Sequence, residues 1–359
     1  MRPATPARGW LSAFAGPRVW VADLFGADRR SIVTQHFAAE QGLSGDEMSA
    51  PTDPLDSNIV ISGRERRTGR LSTENTRLGA MLLHTRGYVI LTAAIPDSLL
   101  AQLQSSFQRL YEQSIQHYRA GRHRTPPGDE PAADGVFWER GSRFRIFPKL
   151  TGPFADTYVL RNPFAHSIIA ETLGVDYYCK SLSSDTCVKE STRQGPHRDI
   201  GFYDGGDIAG CVVNIAITDC GLRNGPIEVW PGGSHLWRAE LFERFDLSLF
   251  VQDDPNPAVE ALGGYIPSKL IALRPGDLMI RDPGMLHRGT PNTTDEPRTM
   301  LTAGYFRNDY YYPYGDTRYN LDETLYQQLD STLQALFAPF FDETDPRYWK
   351  LRHDPAIRV

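Results

Sequence analysis

No stretch of the 359 residues approaches 18 consecutive uncharged apolar positions, so no membrane-spanning helix is expected. Cysteine is scarce: Cys179, Cys187, Cys211 and Cys220 are the four, none in a C-x-x-C pair. Free thiols in a reducing compartment are the expectation, and a disulfide-dense mini-protein is excluded. Positive charge is not in excess either. The chain has 38 Lys+Arg against 44 Asp+Glu, a net charge of −6, whereas a dedicated nucleic-acid binder is usually basic. Only five of those basic residues are lysine, which says nothing about function. A secretory signal is not apparent: the arginines of Met1–Trp10 are followed by Pro17, Arg18 and Asp23 before any apolar core forms. The expected compartment is the cytoplasm.

What is present is an ordinary globular composition with 40% apolar residues, in a chain long enough to bury a core without staples. Length alone suggests about two domains, or one barrel domain with insertions. Residues 1–70 read as an N-terminal extension, partly flexible. Gly, Pro, Ser, Asp and Arg dominate from Gly42 to Arg70, while Trp10, Phe14, Trp20 and Phe25 suit a lid or a dimer arm. Residues 71–345 read as the folded body and 346–359 as a tail.

Within the body, Ser72 or Thr73 can cap a short helix that ends around Gly87, and Tyr88–Leu91 reads as a strand. Leu99, Leu103, Phe107 and Leu110 recur with helical period after Ile95, and residues 120–135 form a Pro/Gly/Asp-rich loop. A second amphipathic helix covers Phe164–Leu173. Short strand candidates then follow one another at 177–189, 197–203, 211–217, 227–230, 269–273, 277–281 and 298–306, before a last helix at about 321–337. This density predicts a mostly β fold, an antiparallel sandwich or barrel with the helices packed outside it.

The chemistry concentrates in Gly195-Pro-His-Arg-Asp199. On a strand, residues i and i+2 share a face, so His197 and Asp199 can meet at one point while Arg198 points away. A metal needs a third ligand, and His287 is the strong candidate. It follows the Pro275-Gly-Asp277 turn and an apolar strand, 90 residues beyond His197. Two His and one carboxylate leave positions open, which suits Fe(II) taking both a co-substrate and O₂. Arg298, eleven residues past His287, can grip the far carboxylate of a dicarboxylate by two parallel hydrogen bonds.

Taken in order, His197-x-Asp199, the block Asn224-Gly-Pro-Ile-Glu-Val-Trp-Pro-Gly-Gly-Ser-His235, Pro275-Gly-Asp277, His287 and Arg298 resemble the phytanoyl-CoA dioxygenase (PhyH) family of Fe(II)/2-oxoglutarate-dependent oxygenases. The resemblance covers roughly residues 80–310 and includes Gly87-Tyr-Val-Ile-Leu91. It implies a double-stranded β-helix (jelly roll, cupin-like) with helices on one side. His197, Asp199 and His287 would hold Fe(II), and Arg298 would hold the distal carboxylate of 2-oxoglutarate. It also implies hydroxylation of an unactivated C–H bond of a small molecule, with succinate and CO₂ as co-products. Related halogenases lack the carboxylate that Asp199 supplies, so the resemblance favours hydroxylation.

Further candidates are weaker. Asn214, in an otherwise apolar strand, can contact 2-oxoglutarate or bond a neighbouring loop, and Thr290 and Thr302 can offer hydroxyls to the co-substrate. Trp230 and His235 suit a structural turn, and His166 a packed position. Phe147, Phe202, Tyr203 and Tyr310-Tyr-Tyr312 can wall an apolar substrate pocket. Arg143, Arg145 and Lys149 face either an anionic substrate or, as the favoured reading, solvent at a strand edge.

The expected partner is a small molecule with an apolar part, with no nucleic acid and no membrane, in a monomer or homodimer. Specialised-metabolite tailoring in a bacterium is the preferred setting, and fatty acyl-CoA hydroxylation the alternative. A zinc hydrolase using the same triad and a non-catalytic jelly-roll binding protein are the other classes weighed.

Overall fold

The computed structural model describes residues 53, 55–120, 137–202, 208–244, 257–310, 312, 317–346 and 348. Two compact units emerge, Met1–Pro54 and Leu55–Val359, and every element named below belongs to the second. The aromatic residues Trp10 to Phe25, nearly all of the 120–135 loop, Tyr203, Tyr311 and most of the 346–359 tail lie outside the described residues.

Part of the 1–70 stretch is regular structure. Strand β1 (Asn58–Val60) is followed by helix α1 (Gly63–Thr68), then α2 (Thr73–Arg86). Glu65 joins the two helices. Its Oε2 accepts from Ser62 N at 2.9 Å and Ser62 Oγ at 2.8 Å, completing a capping box. Its Oε1 accepts from Ser72 N at 2.8 Å and Asn75 Nδ2 at 2.9 Å, at the start of α2. Burial would raise this carboxyl, but the bonds from Ser72, Ser62 and Asn75 outweigh it and bring the pKa down to about 2. Because the folded pKa lies below the unfolded value of about 4.3, the stabilisation is present above that pH and lost as pH falls toward 2. Glu65→Ala is expected to destabilise the protein by about 1–3 kcal/mol near neutrality. The gap to wild type should close in acid. Thermal melts near pH 7 and near pH 3 check this, and a gap independent of pH would count against it.

Ser72 caps α2 as its sequence suggests, accepting from Asn75 N at 3.1 Å, and Gly87 ends it with φ +79°. A side chain at Gly87 would be strained by that φ, and its Cβ would lie 2.8 Å from Met285 Sδ. The chain then runs straight into β2 (Tyr88–Thr92) and the long α3 (Asp97–Arg119). After β3 (Phe137–Arg140), β4 (Arg143–Ile146), α4 (Thr157–Leu160) and α5 (Pro163–Leu173) come β5 (Tyr177–Cys187), β6 (Gly210–Ala216) and β7 (Ile227–Val229). Helices α6 (Ala239–Arg244) and α7 (Pro257–Tyr265) precede β8 (Lys269–Ile271), β9 (Leu278–Arg281), β10 (His287–Gly289) and β11 (Arg298–Arg307). Helices α8 (Glu323–Gln328) and α9 (Ser331–Phe341) follow.

The strands form an eight-stranded sheet, β1-β2-β9-β6-β11-β5-β4-β3, and a three-stranded sheet, β10-β7-β8. Alternation along the strands separates two faces of the large sheet. One face, with Val213, Ile215, Leu278, Ile280 and Leu301, packs in the main core against α3, α5 and α9. The other presents Tyr88, Ile90, Ala216, Met279 and Met300, which cluster with Ile227, Val229 and Ile271 of the small sheet. The two sheets therefore face one another, and the space between them is where inward residues meet.

Three expectations need correction. Among the described residues helix outnumbers strand, so this part of the chain is sheet-centred but not mostly β. A helix advances only about 1.5 Å per residue against about 3.3 Å for a strand, so covering a sheet takes more chain than building it. The helix foreseen at 321–337 is two: α8 ends before Leu329, and Asp330 caps α9 by accepting from Thr332 N at 2.8 Å and Leu333 N at 3.0 Å. The strand foreseen at 197–203 reduces to a single bridge at His197. The four cysteines are buried free thiols. No helix among the described residues is long and apolar enough to cross a membrane.

Candidate functional site

His197, Asp199 and His287 come together although their sequence neighbourhoods differ. His197 pairs backbone to backbone with His287: each N–H donates to the other's carbonyl, at 2.9 and 3.0 Å. Asp199 N donates to Pro283 O at 2.9 Å, which places its carboxylate beside both rings without a continuous strand. One ligand atom from each of the three residues lies within 4.8 Å of the others. His197 Nε2 is 3.7 Å from Asp199 Oδ1, and His287 Nε2 is 3.4 Å from Asp199 Oδ2.

The arrangement fits a divalent ion. His197 Nδ1 lies 2.9 Å from Gly195 O, and His287 Nδ1 lies 2.9 Å from Met285 O. A carbonyl can only accept, so each Nδ1 carries the proton and each Nε2 lone pair is turned toward the carboxylate. Burial, and then the neighbouring His287, lower the His197 pKa to about 3, so its imidazole is neutral. Burial would raise Asp199, but Arg281 foremost, then His287, hold its carboxyl well below the usual range. Two imidazoles and one carboxylate form a facial set with positions left open. Arg198 points away, its guanidinium 4.4 Å from the Phe202 ring centroid.

Arg281 was not singled out from the sequence. It is buried at the end of β9 and donates from Nη2 to Asp199 Oδ2 at 2.6 Å. A cation closing the apolar run Leu278-Met-Ile is the one signal that could have found it. It bonds the same carboxylate oxygen that lies nearest His287 Nε2. Loss of such an outer partner costs about 10- to 100-fold in metal affinity or activity. Arg281→Met is expected to weaken Fe(II) binding in that range, measured by anaerobic titration, and unchanged affinity would refute the positioning role.

Arg298 is fully buried at the start of β11. Its Nη1 donates to Asp185 O and Asp185 Oδ2, both at 3.0 Å, while Nε and Nη2 have no partner. That leaves one edge of the guanidinium fork facing inward for a carboxylate. Burial would raise Asp185, and Arg298 and then Arg143 bring it down to about 2.

The remaining candidates divide. Asn214 and Thr302 sit opposite one another on β6 and β11, and Asn214 Nδ2 donates to Thr302 Oγ1 at 2.9 Å, leaving Asn214 Oδ1 without a partner. Alternation puts Thr302 on the same face as Arg298. Thr290 is turned the other way: its hydroxyl donates to Pro226 O at 2.6 Å, closing the turn after β10. Trp230 is buried with its indole N–H on Gly263 O at 2.9 Å, and His235 Nε2 lies 2.8 Å from His84 O. His166 contacts Arg161 and the Tyr177 hydroxyl.

Of the aromatic residues, Phe147 packs against Tyr319 and Phe202 against Phe242. Tyr312 stacks on Phe306 with centroids 4.4 Å apart, in a cluster with Tyr178 and Ile200. Burial, then the Asp199 charge, raise the Tyr312 phenol, and Ile200 of the same cluster directly follows Asp199 in the chain. The solvated-edge reading of Arg143 is incorrect. Its side chain is buried, because Arg143 pairs with Cys187 on the inner face of the large sheet rather than at an exposed margin. Arg145 is exposed and Lys149 half-buried.

The family model for phytanoyl-CoA dioxygenase (PhyH) matches residues 83–300. Among solved structures, the chain is similar to the epimerase SnoN in complex with Fe3+, alpha ketoglutarate and nogalamycin RO. The two are 18% identical over 66% of this chain and 85% of that one, with a TM-score of 0.48. The non-heme alpha ketoglutarate dependent carbocyclase SnoK from nogalamycin biosynthesis is 17% identical over 72% and 91%, with a TM-score of 0.48. AviO1 from Streptomyces viridochromogenes Tue57 is 18% identical over 66% and 96%, with a TM-score of 0.47.

Proposed function

The chain belongs to the phytanoyl-CoA dioxygenase family of iron- and 2-oxoglutarate-dependent enzymes, and from that premise we propose that it hydroxylates an unactivated C–H bond of a small molecule. The observation that carries the proposal is the convergence of His197, Asp199 and His287 with both Nδ1 atoms held by carbonyls. In this reading those three residues hold Fe(II), and the two facing sheets form the double-stranded β-helix. The iron supplies the oxidation of 2-oxoglutarate and substrate by O₂. The balance is one C–H, one 2-oxoglutarate and one O₂ giving one C–OH, succinate and CO₂.

The protein's own contributions are positional. Arg298 receives the distal carboxylate on its free Nε/Nη2 edge, and Asp185 fixes the opposite side of the fork. Arg281 keeps the Asp199 carboxylate aimed at the two Nε2 atoms. The Asn214–Thr302 pair borders the co-substrate between them. Tyr312, Phe306 and Ile200 exclude water from one side and offer an apolar surface to the substrate.

Specialised-metabolite tailoring in a bacterium remains the preferred setting over acyl-CoA oxidation. A CoA ester brings phosphates that want free cations. In the Arg64–Arg67 run, Arg66 is already committed to the carbonyls of Thr92 and Ala93. The test is succinate formation by anaerobically purified protein given Fe(II), 2-oxoglutarate and O₂, with Arg298→Ala beside it. Slow succinate in the wild type and none in the variant supports the reading. Metal-loaded wild type that binds no 2-oxoglutarate in calorimetry overturns it and favours hydrolysis on the same triad.

A further inference from the structure

We propose that Arg143 is a second guanidinium for the distal carboxylate that Arg298 receives, admitted to the interior because residue 289 is glycine. This rests on the co-substrate reading above and adds a residue to it.

Register puts the two arginines in one row. Arg143 on β4 pairs with Cys187 on β5, and Cys187 pairs with Arg298 on β11. Directly opposed residues of antiparallel strands share a face, so both side chains enter the same interior. Two strand spacings separate their backbones, about 10 Å, which two arginine side chains easily close. Asp185 lies between them on that face and responds to both charges, Arg298 first and Arg143 next.

Both guanidiniums are incomplete in the same way. Arg298 uses Nη1 on Asp185, and its Nε and Nη2 have no partner. Arg143 uses Nη2 on the carbonyls of Thr192, at 3.3 Å, and Thr290, and its Nε and Nη1 have none. Buried donors of a charged group are costly to leave unmade, and here four such nitrogens occur on two neighbouring arginines. Two cations lie beside one carboxylate, that of Asp185 two residues along β5 from Cys187, leaving a surplus positive charge for an anionic group to balance.

Gly289 accounts for the access. It follows His287 by two positions on β10, on the same face and about 6.6 Å along the strand. A Cβ built there would lie 2.7 Å from both Arg143 Cζ and Arg143 Nη1. The guanidinium thus shares the place where a side chain at 289 would stand with the Gln194 amide, whose Oε1 would lie 2.6 Å from that Cβ. This position, between His287 and the Arg298 row, favours the co-substrate's distal carboxylate over an anionic group on the primary substrate.

The experiment is anaerobic equilibrium binding to the full-length, metal-loaded protein, comparing 2-oxoglutarate with 2-oxovalerate, which keeps the 2-oxo acid and lacks the distal carboxylate. Arg143→Gln is expected to weaken 2-oxoglutarate about 10- to 100-fold and leave 2-oxovalerate unchanged. Gly289→Ala, which displaces the guanidinium together with the Gln194 amide without removing either, is expected to shift the same ratio in the same direction. Equal weakening of both ligands would mean a structural role, and unchanged 2-oxoglutarate binding would mean that Arg143 serves something else. Either overturns the proposal. Wild type that binds neither ligand, or does not prefer 2-oxoglutarate, would instead overturn the co-substrate reading itself.

Discussion

Removing either imidazole, by His197→Ala or His287→Ala, is expected to abolish Fe(II)-dependent succinate formation while leaving the fold in place. The His197–His287 backbone pair survives both changes, since it is made of N–H and carbonyl groups that alanine keeps. Each variant loses one side-chain bond to a carbonyl and one metal ligand. No other cluster of three potential ligands occurs among the described residues, so nothing nearby can substitute. The loss in metal affinity should exceed the about 10- to 100-fold that an outer partner costs. Iron retained after desalting, together with a thermal melt, measures both halves. A variant that keeps one equivalent of iron and turns over would sink the ligand assignment.

Arg298→Ala is expected to have two separable effects. Truncating one member of a buried charge pair costs about 2–5 kcal/mol in binding, so 2-oxoglutarate should weaken by about 30-fold to several thousand-fold. The same change strands the Asp185 carboxylate. Breaking a fully buried pair costs about 3–5 kcal/mol of stability, and a side-chain exposure of 27% at Asp185 reduces the expectation to about 2 kcal/mol. With the Arg298 charge removed, the Asp185 carboxyl rises from about 2 toward its ordinary value, with Arg143 still lowering it. Its contribution, present in wild type above about pH 4 and lost as pH falls toward 2, then disappears from the acid limb. The double change Arg298→Met with Asp185→Asn should recover stability without recovering 2-oxoglutarate binding. Recovery of both would show that Arg298 acts through folding alone.

The triad was legible because its signal is local. His197-x-Asp199 needs only a two-residue offset, and His287 announces itself by following a turn and an apolar strand. Its supports were not legible, because each is defined by a partner far along the chain. Arg281 meets Asp199 across 82 residues, and Arg143 meets the Thr290 carbonyl across 147. Alternation within Arg143-Phe-Arg-Ile146 shows two faces but not which one is inside, and the sequence reading put the arginines in solvent. Pairing of β4 with β5 turned Arg143 inward, while Arg145, two residues on, stays exposed as expected. The break at Asp330 was hidden for a related reason: apolar period continues across it, while the cap that stops and restarts the helix is a single side chain.

The mutual backbone bond between His197 and His287 has a consequence for which ions the protein accepts. The spacing of the two imidazoles is set by peptide groups bonded directly to one another. Such a frame needs little reorganisation to load a metal, and it grips any first-row divalent ion of similar size. Two nitrogens and one oxygen do not by themselves favour iron, since affinity for a site of this kind rises from manganese to copper. Selection for the working metal therefore falls to the supply of ions around the protein, and a nickel or cobalt ion met during purification would be held more firmly than iron.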